Sequence, residues 1–400
     1  MSLNKPVYLV TPKRTPIGKF GGGLSSLTAA QLGVAAVRAV LETTEVAPES
    51  IDELIFGNAR QAGVGPNLAR QVLHGSGIPA EVSAHTVNKA CGSGLQAIVN
   101  AAQLIQLEEA VCVVAGGTES MSNTPYMLPG ARWGYRLGHG ELVDGMYQDG
   151  FLCQLCGLLM GETAEKLAKQ YAISRPEQDQ FAVESQQKCQ RARQEGRFHS
   201  EIVPVEVGAG TKRAQTVKED EHPRDNVSLE SLKKLPPVFD KEGTVHAGNA
   251  SGITDGAAAV LVCDSENYQR IGGAPACRIM DYTTAGVDPS IMGIGPVPAV
   301  KKLLSRSGLR LKEVDLIELN EAFAVQVLAC AKDLDLDLEK VNVNGGAISL
   351  GHPIGCTGAR IVVTLMHEMH RRKARYGMAT LCISGGMGMA MLLENALLDS

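Results

Sequence analysis

The chain has 400 residues, 44% of them apolar and 20% charged, with 44 glycines and few aromatics; this is a globular composition, too long for one ordinary core. A formal charge of −5 offers no basic field to hold nucleic acid, and no apolar run approaches the ~20 residues of a membrane span. With ten cysteines, no leader before the first strand and no sorting tripeptide at Leu397-Leu398-Asp399-Ser400, reduced thiols in a cytoplasmic protein are expected.

In chain order, residues 7–10 read as a strand, 26–41 as a helix, 54–58 as a strand and 67–75 as a helix. A further extended run at 82–87 leads to Cys91, 94–106 is helical, and 111–117 is a strand buried on both faces, by apolar run length and flanking glycines. Repeated strand–helix alternation predicts a mostly parallel sheet. Residues 120–150 are rich in Gly, Pro, Tyr and Met without period and predict a long ordered loop. Two helices follow over 161–196; Ser174, Pro176 and Glu177 carry the cap, first-turn proline and capping-box signals of the second. Residues 211–237 are charged and proline-punctuated, an insert expected to cover a site.

The last third repeats the opening grammar. Residues 315–320 echo 53–58, the segment around His352 with its helix at 358–370 echoes Cys91 and its helix, and 380–386 echoes 113–117. Three echoes in the same order predict two similar α/β halves, a duplication of whole subdomains.

Chemistry is suggested by two cysteines and a histidine set among glycines. Cys91 lies in Asn88-Lys89-Ala90-Cys91-Gly92-Ser93-Gly94, after a strand and before a helix; backbone N–H groups and the helix end there are expected to lower its pKa and make it a nucleophile. His352 lies in Gly351-His352-Pro353-Ile354-Gly355, where an imidazole can act as base to a thiol. Cys382 enters Ser384-Gly385-Gly386-Met387-Gly388 and reads equally as core or as a proton carrier. Asn320, after a strand end, reads as a helix N-cap or as an amide holding a water or an oxyanion. Cys153 and Cys156 resemble half a metal site without a second pair, and Gly21-Gly22-Gly23 lacks the lysine and serine of a phosphate loop.

The blocks around Cys91 and His352, with Asn320-Glu321-Ala322-Phe323-Ala324 and Cys382 through Gly388, resemble in order the four active-site blocks of the thiolases. The resemblance runs through essentially the whole chain, Asn249-Ala250-Ser251-Gly252 included, and Lys89-Ala90-Cys91-Gly92 is most similar to the biosynthetic acetyl-CoA acetyltransferases. It implies an α/β fold of five layers, α/β/α/β/α, from two duplicated halves: residues 1–120 completed by about 246–274, and 275–400, with 121–245 an inserted loop domain over the coenzyme A site. It implies reversible Claisen condensation of two acetyl-CoA to acetoacetyl-CoA and CoA, with no metal or other cofactor.

The resemblance also implies roles. Cys91 becomes acylated, His352 takes its proton and helps hold the thioester oxygen, Cys382 moves a proton at the α-carbon, and Asn320 positions the water of one oxyanion hole. The backbone N–H groups of Cys91 and Ser384 form the other hole. Arg224, Ser231, Ala247, Ser251, Ala322 and Phe323 line the coenzyme A site with Phe239 nearby, Arg224 meeting its nucleotide end, and Met160 and Met292 border the acyl pocket. The 120–150 loop resembles the family's tetramer-forming segment, implying a homotetramer or homodimer. Leu159 stands where short-chain biosynthetic members usually have histidine, and Ser384 where glycine is usual.

Three other readings stay in view. A degradative 3-ketoacyl-CoA thiolase of broader range shares every motif. A cysteine hydrolase of papain-like order would place Asn after His, whereas Asn320 precedes His352. A non-catalytic acyl-CoA or lipid-binding relative would be expected to lack Cys91, His352 or Cys382.

Overall fold

The computed structural model describes residues 5–211, 214–271 and 275–398. Residues 1–4 and 399–400, on which the expectations about a leader and a sorting tripeptide fall, lie outside them, as do residues 212–213 of the charged insert.

The first half comprises β1 (Tyr8–Arg14), β2 (Gly18–Lys19), α1 (Ala29–Thr44), β3 (Glu53–Gly57), α2 (Leu68–Gly75), β4 (Ser83–Val87), α3 (Ser93–Gln106) and β5 (Cys112–Ser120). A connecting region holds the short pair β6 (Tyr126–Met127) and β7 (Val143–Asp144), then α4 (Met160–Tyr171), α5 (Arg175–Gln194), β8 (Val205–Val207), β9 (Gln215–Val217) and α6 (Leu229–Lys233). The chain returns through β10 (Thr254–Cys263), α7 (Ser265–Ile271) and β11 (Ala276–Gly286). It ends with α8 (Pro296–Ser307), β12 (Leu316–Leu319), α9 (Ala324–Leu334), α10 (Ala347–Leu350), α11 (Ile354–Arg372), β13 (Tyr376–Ile383) and β14 (Met387–Asn395).

The duplication is explicit in strand order. In one half β4, β3 and β5 run parallel and β10 and β1 follow antiparallel. In the other, Val341 bridges parallel to Ile317 of β12, β13 runs parallel to β12, and β14 and β11 follow antiparallel. The expected mostly parallel sheet is therefore corrected to a mixed one. Helical crossovers keep only three positions of each half parallel, whereas β13 and β14 are joined by the tight Ser384–Gly386 turn, which demands an antiparallel pair. The two half-sheets meet edge to edge, Tyr8–Val10 pairing with Ala276–Arg278.

Alternate faces of these strands bury different helices, as a period of two requires. Ile55, Val113, Ala115, Val260, Leu381, Met389 and Met391 face α3 and α11 in the central core. Leu54, Phe56, Val114 and Leu261 face α1 and α2, while Ile317, Leu319, Met378 and Leu392 face α8 and α9. Helix, sheet, helix, sheet, helix: five layers result. α3 and α11 cross closely because Gly94 and Gly358 have no side chains. A Cβ on Gly94 would stand 2.7 Å from Ala359 N, and one on Gly358 2.4 Å from Leu95 N.

The expected capping box of α5 is present, Ser174 accepting from Glu177 N–H and Glu177 from Ser174 N–H. The connecting region is fastened to β1 by a fully buried Arg14, which donates to Glu201 at 2.6 Å and bidentately to Asp220 at 2.7 and 2.9 Å. Among the described residues no helix is long and apolar enough to cross a membrane.

Candidate active site

Cys91 and His352 each stand just before a central helix, Cys91 two residues ahead of α3 and His352 two ahead of α11. The crossing of those helices brings both toward the end of β13, which carries Cys382.

Ala90 turns the chain into Cys91 with a left-handed φ of 45°, which costs a non-glycine residue ~1 kcal/mol or more. Ser93 holds that turn: its hydroxyl donates to Ala90 O at 2.7 Å and accepts from Lys89 N–H at 2.8 Å. Asn88 Oδ1 accepts from Ala90 N–H at 3.0 Å. Gly92 permits contact with the Cys382 strand, since a Cβ there would lie 2.5 Å from Ile383 Cδ1. The Ser384 and Cys91 N–H groups both point at the Cys91 sulfur.

His352 is buried, and its Nδ1 lies 2.6 Å from Thr357 Oγ1. The Thr357 hydroxyl donates to Pro353 O at 3.0 Å, so it accepts from Nδ1–H; this assigns the tautomer and leaves the Nε2 lone pair free. Nε2 has no hydrogen-bond partner among the described residues. Asn320 is fully buried, and neither Oδ1 nor Nδ2 has a partner among the described residues. It is not a helix cap, because α9 starts at Ala324 with Phe323 at the cap position. A buried amide without partners costs ~1–3 kcal/mol, so it fits a site that meets polar atoms of a ligand.

The electrostatics correct one expectation. Burial raises the Cys91 pKa, and the Ser384 N–H, the Arg60 guanidinium and its own N–H offset only part of that rise. Burial, Arg360 and Arg60 push His352 down to about 3. Cys91 is therefore a neutral thiol and His352 a neutral imidazole, because desolvation outweighs the groups that favour their charged forms. Cys382, fully buried and within the field of Cys91, is pushed well above the usual thiol range.

Met160, Met292, Ala322, Phe323 and Phe239 share one apolar cluster with Cys382, the two phenylalanine rings meeting edge to face at 6.5 Å. Ser251 sits beside them: its N–H donates to Ala322 O at 3.0 Å, while His352 N–H donates to Gly252 O at 3.0 Å. Arg224, Ser231 and Ala247 are exposed at α6. Arg224 and Ala247 line one small pocket with His222 and Leu232, and the Ser231 hydroxyl donates within the α6 cap to Ser228 O. A separate cavity of about 480 Å³, lined by Arg193, Phe198, Lys218 and Asp220 among others, shares none of these residues.

Three residues near the site escaped the sequence reading. Glu119 is buried and accepts from Asn58 Nδ2, Ala59 N, Arg60 N and Gly355 N; a carboxylate in the buried run of β5 was its visible signal. Thr357 looks like any helix residue, and Arg60 like a loop charge. Cys153 and Cys156 lie thiol to thiol in hydrogen-bond contact, and Gly385 N–H also points at Cys153. Among the described residues, no three His, Cys, Asp or Glu side chains converge as a metal site.

The model of the thiolase N-terminal domain matches residues 7–266, and that of the thiolase C-terminal domain residues 274–395. The chain belongs to the thiolase family. It is 50% identical over 391 residues to the acetyl-CoA acetyltransferase of Escherichia coli K12, spanning 98% of this chain and 99% of that one. It is 46% identical over 396 residues to the human mitochondrial 3-ketoacyl-CoA thiolase, spanning 99% of this chain and all of that one. The crystal structure of the Bacillus anthracis acetyl-CoA acetyltransferase superposes with a TM-score of 0.95 at 44% identity, covering 98% of this chain and 99% of that one. That of the human mitochondrial 3-ketoacyl-CoA thiolase in complex with CoA gives 0.95 at 46% identity, covering 99% of each. The fold is thus the thiolase fold, and the protein an acyltransferase acting on coenzyme A thioesters.

Proposed function

We propose that this thiolase condenses two acetyl-CoA to acetoacetyl-CoA and CoA, reversibly, through an acyl group on Cys91. The observation that carries the reading is the approach of Cys91 to Cys382, with two N–H groups aimed at the Cys91 sulfur and Arg60 acting on both Cys91 and His352. His352 Nε2 takes the Cys91 proton as the sulfur attacks the thioester carbonyl. Cys382 gives its proton to the departing CoA sulfur and is left as a thiolate. Its raised pKa makes it a strong base for the α-carbon of the second acetyl-CoA. The enolate attacks acetyl-Cys91, the sulfur leaves, and His352 returns its proton, so every group ends as it began. Oxygen charge formed on the way meets the Cys91 and Ser384 N–H groups, and His352 with water held by Asn320. No metal or redox group is called for.

Coenzyme A would lie over Ser251 and the Met160–Phe323 cluster, with Arg224, Ser231 and Ala247 toward its nucleotide end. The exposed apolar side chains of Tyr126, Trp133, Leu137 and Leu142 support association through the 120–150 loop as a homotetramer, read by sedimentation. The protein is placed in the cytoplasm. A broader 3-ketoacyl-CoA range is the second reading, favoured by Leu159 at the start of α4 beside the apolar cluster.

Thiolysis of acetoacetyl-CoA and of longer 3-ketoacyl-CoA by free CoA tests both. Fast four-carbon cleavage lost in Cys91→Ala supports the mechanism; rates rising from six carbons upward favour the second reading. No cleavage at any length by folded protein that binds CoA would overturn both.

A further inference from the structure

Arg60 is the least comfortable charge near the site. It is 4% exposed, and its Nη1 donates to Asp149 O at 2.8 Å while Nε and Nη2 have no partner among the described residues. The guanidinium lies over the Phe151 ring, 5.4 Å from its centroid, and so close to Gly150 that a Cβ there would stand 1.8 Å from its carbon. Phe151, Ala59 and Cys91 pack in one apolar cluster. The loop bearing Arg60 is tied to that of Cys91 by Asn88 Nδ2, which donates to Ala59 O at 3.2 Å.

A buried cation with two unused donors is costly unless a negative charge faces it. Three candidates lie within its electrostatic reach: Glu119, the Cys91 sulfur and, after them, Asp149, which is exposed to solvent that screens it. Glu119 is already engaged by four N–H donors. The sulfur is neutral at rest and becomes anionic only in turnover. Arg60 also disfavours a proton on His352, so its field selects for anions on the reacting atoms and against cations on their base.

We propose that Arg60 is the counter-charge for the anionic state of Cys91, a positioning residue that acts through its field on the sulfur. The other groups that act on that sulfur are Glu119, Cys382 on β13 and the Ser384 and Cys91 N–H groups, and Asp149 acts on Arg60 itself. Glu119 and Cys382 oppose the anion, and Arg60 and the N–H groups favour it. The proposal rests on Cys91 as the acylated thiol, and its test does not use turnover.

Alkylation of Cys91 by iodoacetamide and by iodoacetate is followed against pH by mass spectrometry of its peptide. In the unaltered protein the iodoacetate to iodoacetamide rate ratio at Cys91 should exceed that of glutathione several-fold, because a cation attracts the charged reagent. Arg60→Met should move the inflection up by about one pH unit, slow alkylation below it about tenfold and abolish the iodoacetate preference; Arg60→Lys should retain most of both. A wild-type ratio no higher than that of glutathione overturns the proposal without any variant, as does an unmoved inflection in folded Arg60→Met. Failure of acetyl-CoA to protect Cys91 from either reagent instead counts against the acyl-Cys91 mechanism itself.

Discussion

The Gly355 N–H donates to the Glu119 carboxylate at 2.8 Å, so the end of β5 in the first half of the chain holds the turn that carries His352 in the second. The same carboxylate accepts from Asn58 Nδ2, Ala59 N and Arg60 N. Glu119→Ala leaves buried donors unmet on both sides of the site. A loss of about 3–5 kcal/mol in urea unfolding is expected, with Glu119→Gln costing less because it keeps the shape and one acceptor. A loss below ~1 kcal/mol for the alanine variant would count against this linkage.

Thr357 fixes the His352 tautomer through Nδ1–H. Thr357→Val keeps the shape but removes that acceptor, so the ring is freed to turn or to protonate the wrong nitrogen. kcat for thiolysis should fall about 10- to 100-fold with KM little changed, and Thr357→Ser should restore most of it. A KM effect with kcat intact would mean that Thr357 serves binding instead.

Gly92 is needed for space. In Gly92→Ala the new methyl meets the far end of Ile383, 2.5 Å from Cδ1, with Met389 Sδ at 3.2 Å. Overpacking of this kind costs about 1–3 kcal/mol, and the displacement of Cys91 should lower kcat. Ile383→Val removes the clashing methyl, so the double variant should recover stability relative to Gly92→Ala. Additive losses would locate the strain elsewhere.

His352 makes stability depend on pH. Its folded pKa is pushed from 6.5 to about 3, so between those values the unfolded chain binds a proton that the folded chain refuses. Stability from this group is whole above pH ~6.5 and falls by at most about 1.4 kcal/mol per pH unit below it. His352→Asn should flatten the acid limb of the unfolding free energy measured from pH 7.5 to 5. An equally steep limb in the variant would assign the effect to other histidines held low by desolvation, such as the part-buried His222 and His367.

Much of the site was legible in the chain because its residues lie in local motifs. Glycines around Cys91, His352 and Cys382 announce turns that a Cβ would block, and the capping box of α5 is a contact between residues three apart. β10, β11 and β14 were not legible. The alternation of β10 and β14 is masked by burial on both faces, and the antiparallel polarity of all three turned an expected parallel sheet into a mixed one. The charge state of Cys91 was misread for a related reason. A turn and a helix end argue for a thiolate, but the cost of desolvation is set by Ile383, Met389 and the layers behind them, contributed by distant segments.

The amino-acid order by itself determined the repeated strand–helix grammar of two α/β halves and singled out Cys91, His352 and Cys382 as candidates, since both depend on short-range pattern. Folding decided which tautomer His352 holds, that the thiol rests neutral, and that Arg60 and Glu119 stand behind Cys91. Those properties arise from the field and packing of segments tens to hundreds of residues apart, and distance in space is what a linear pattern does not carry.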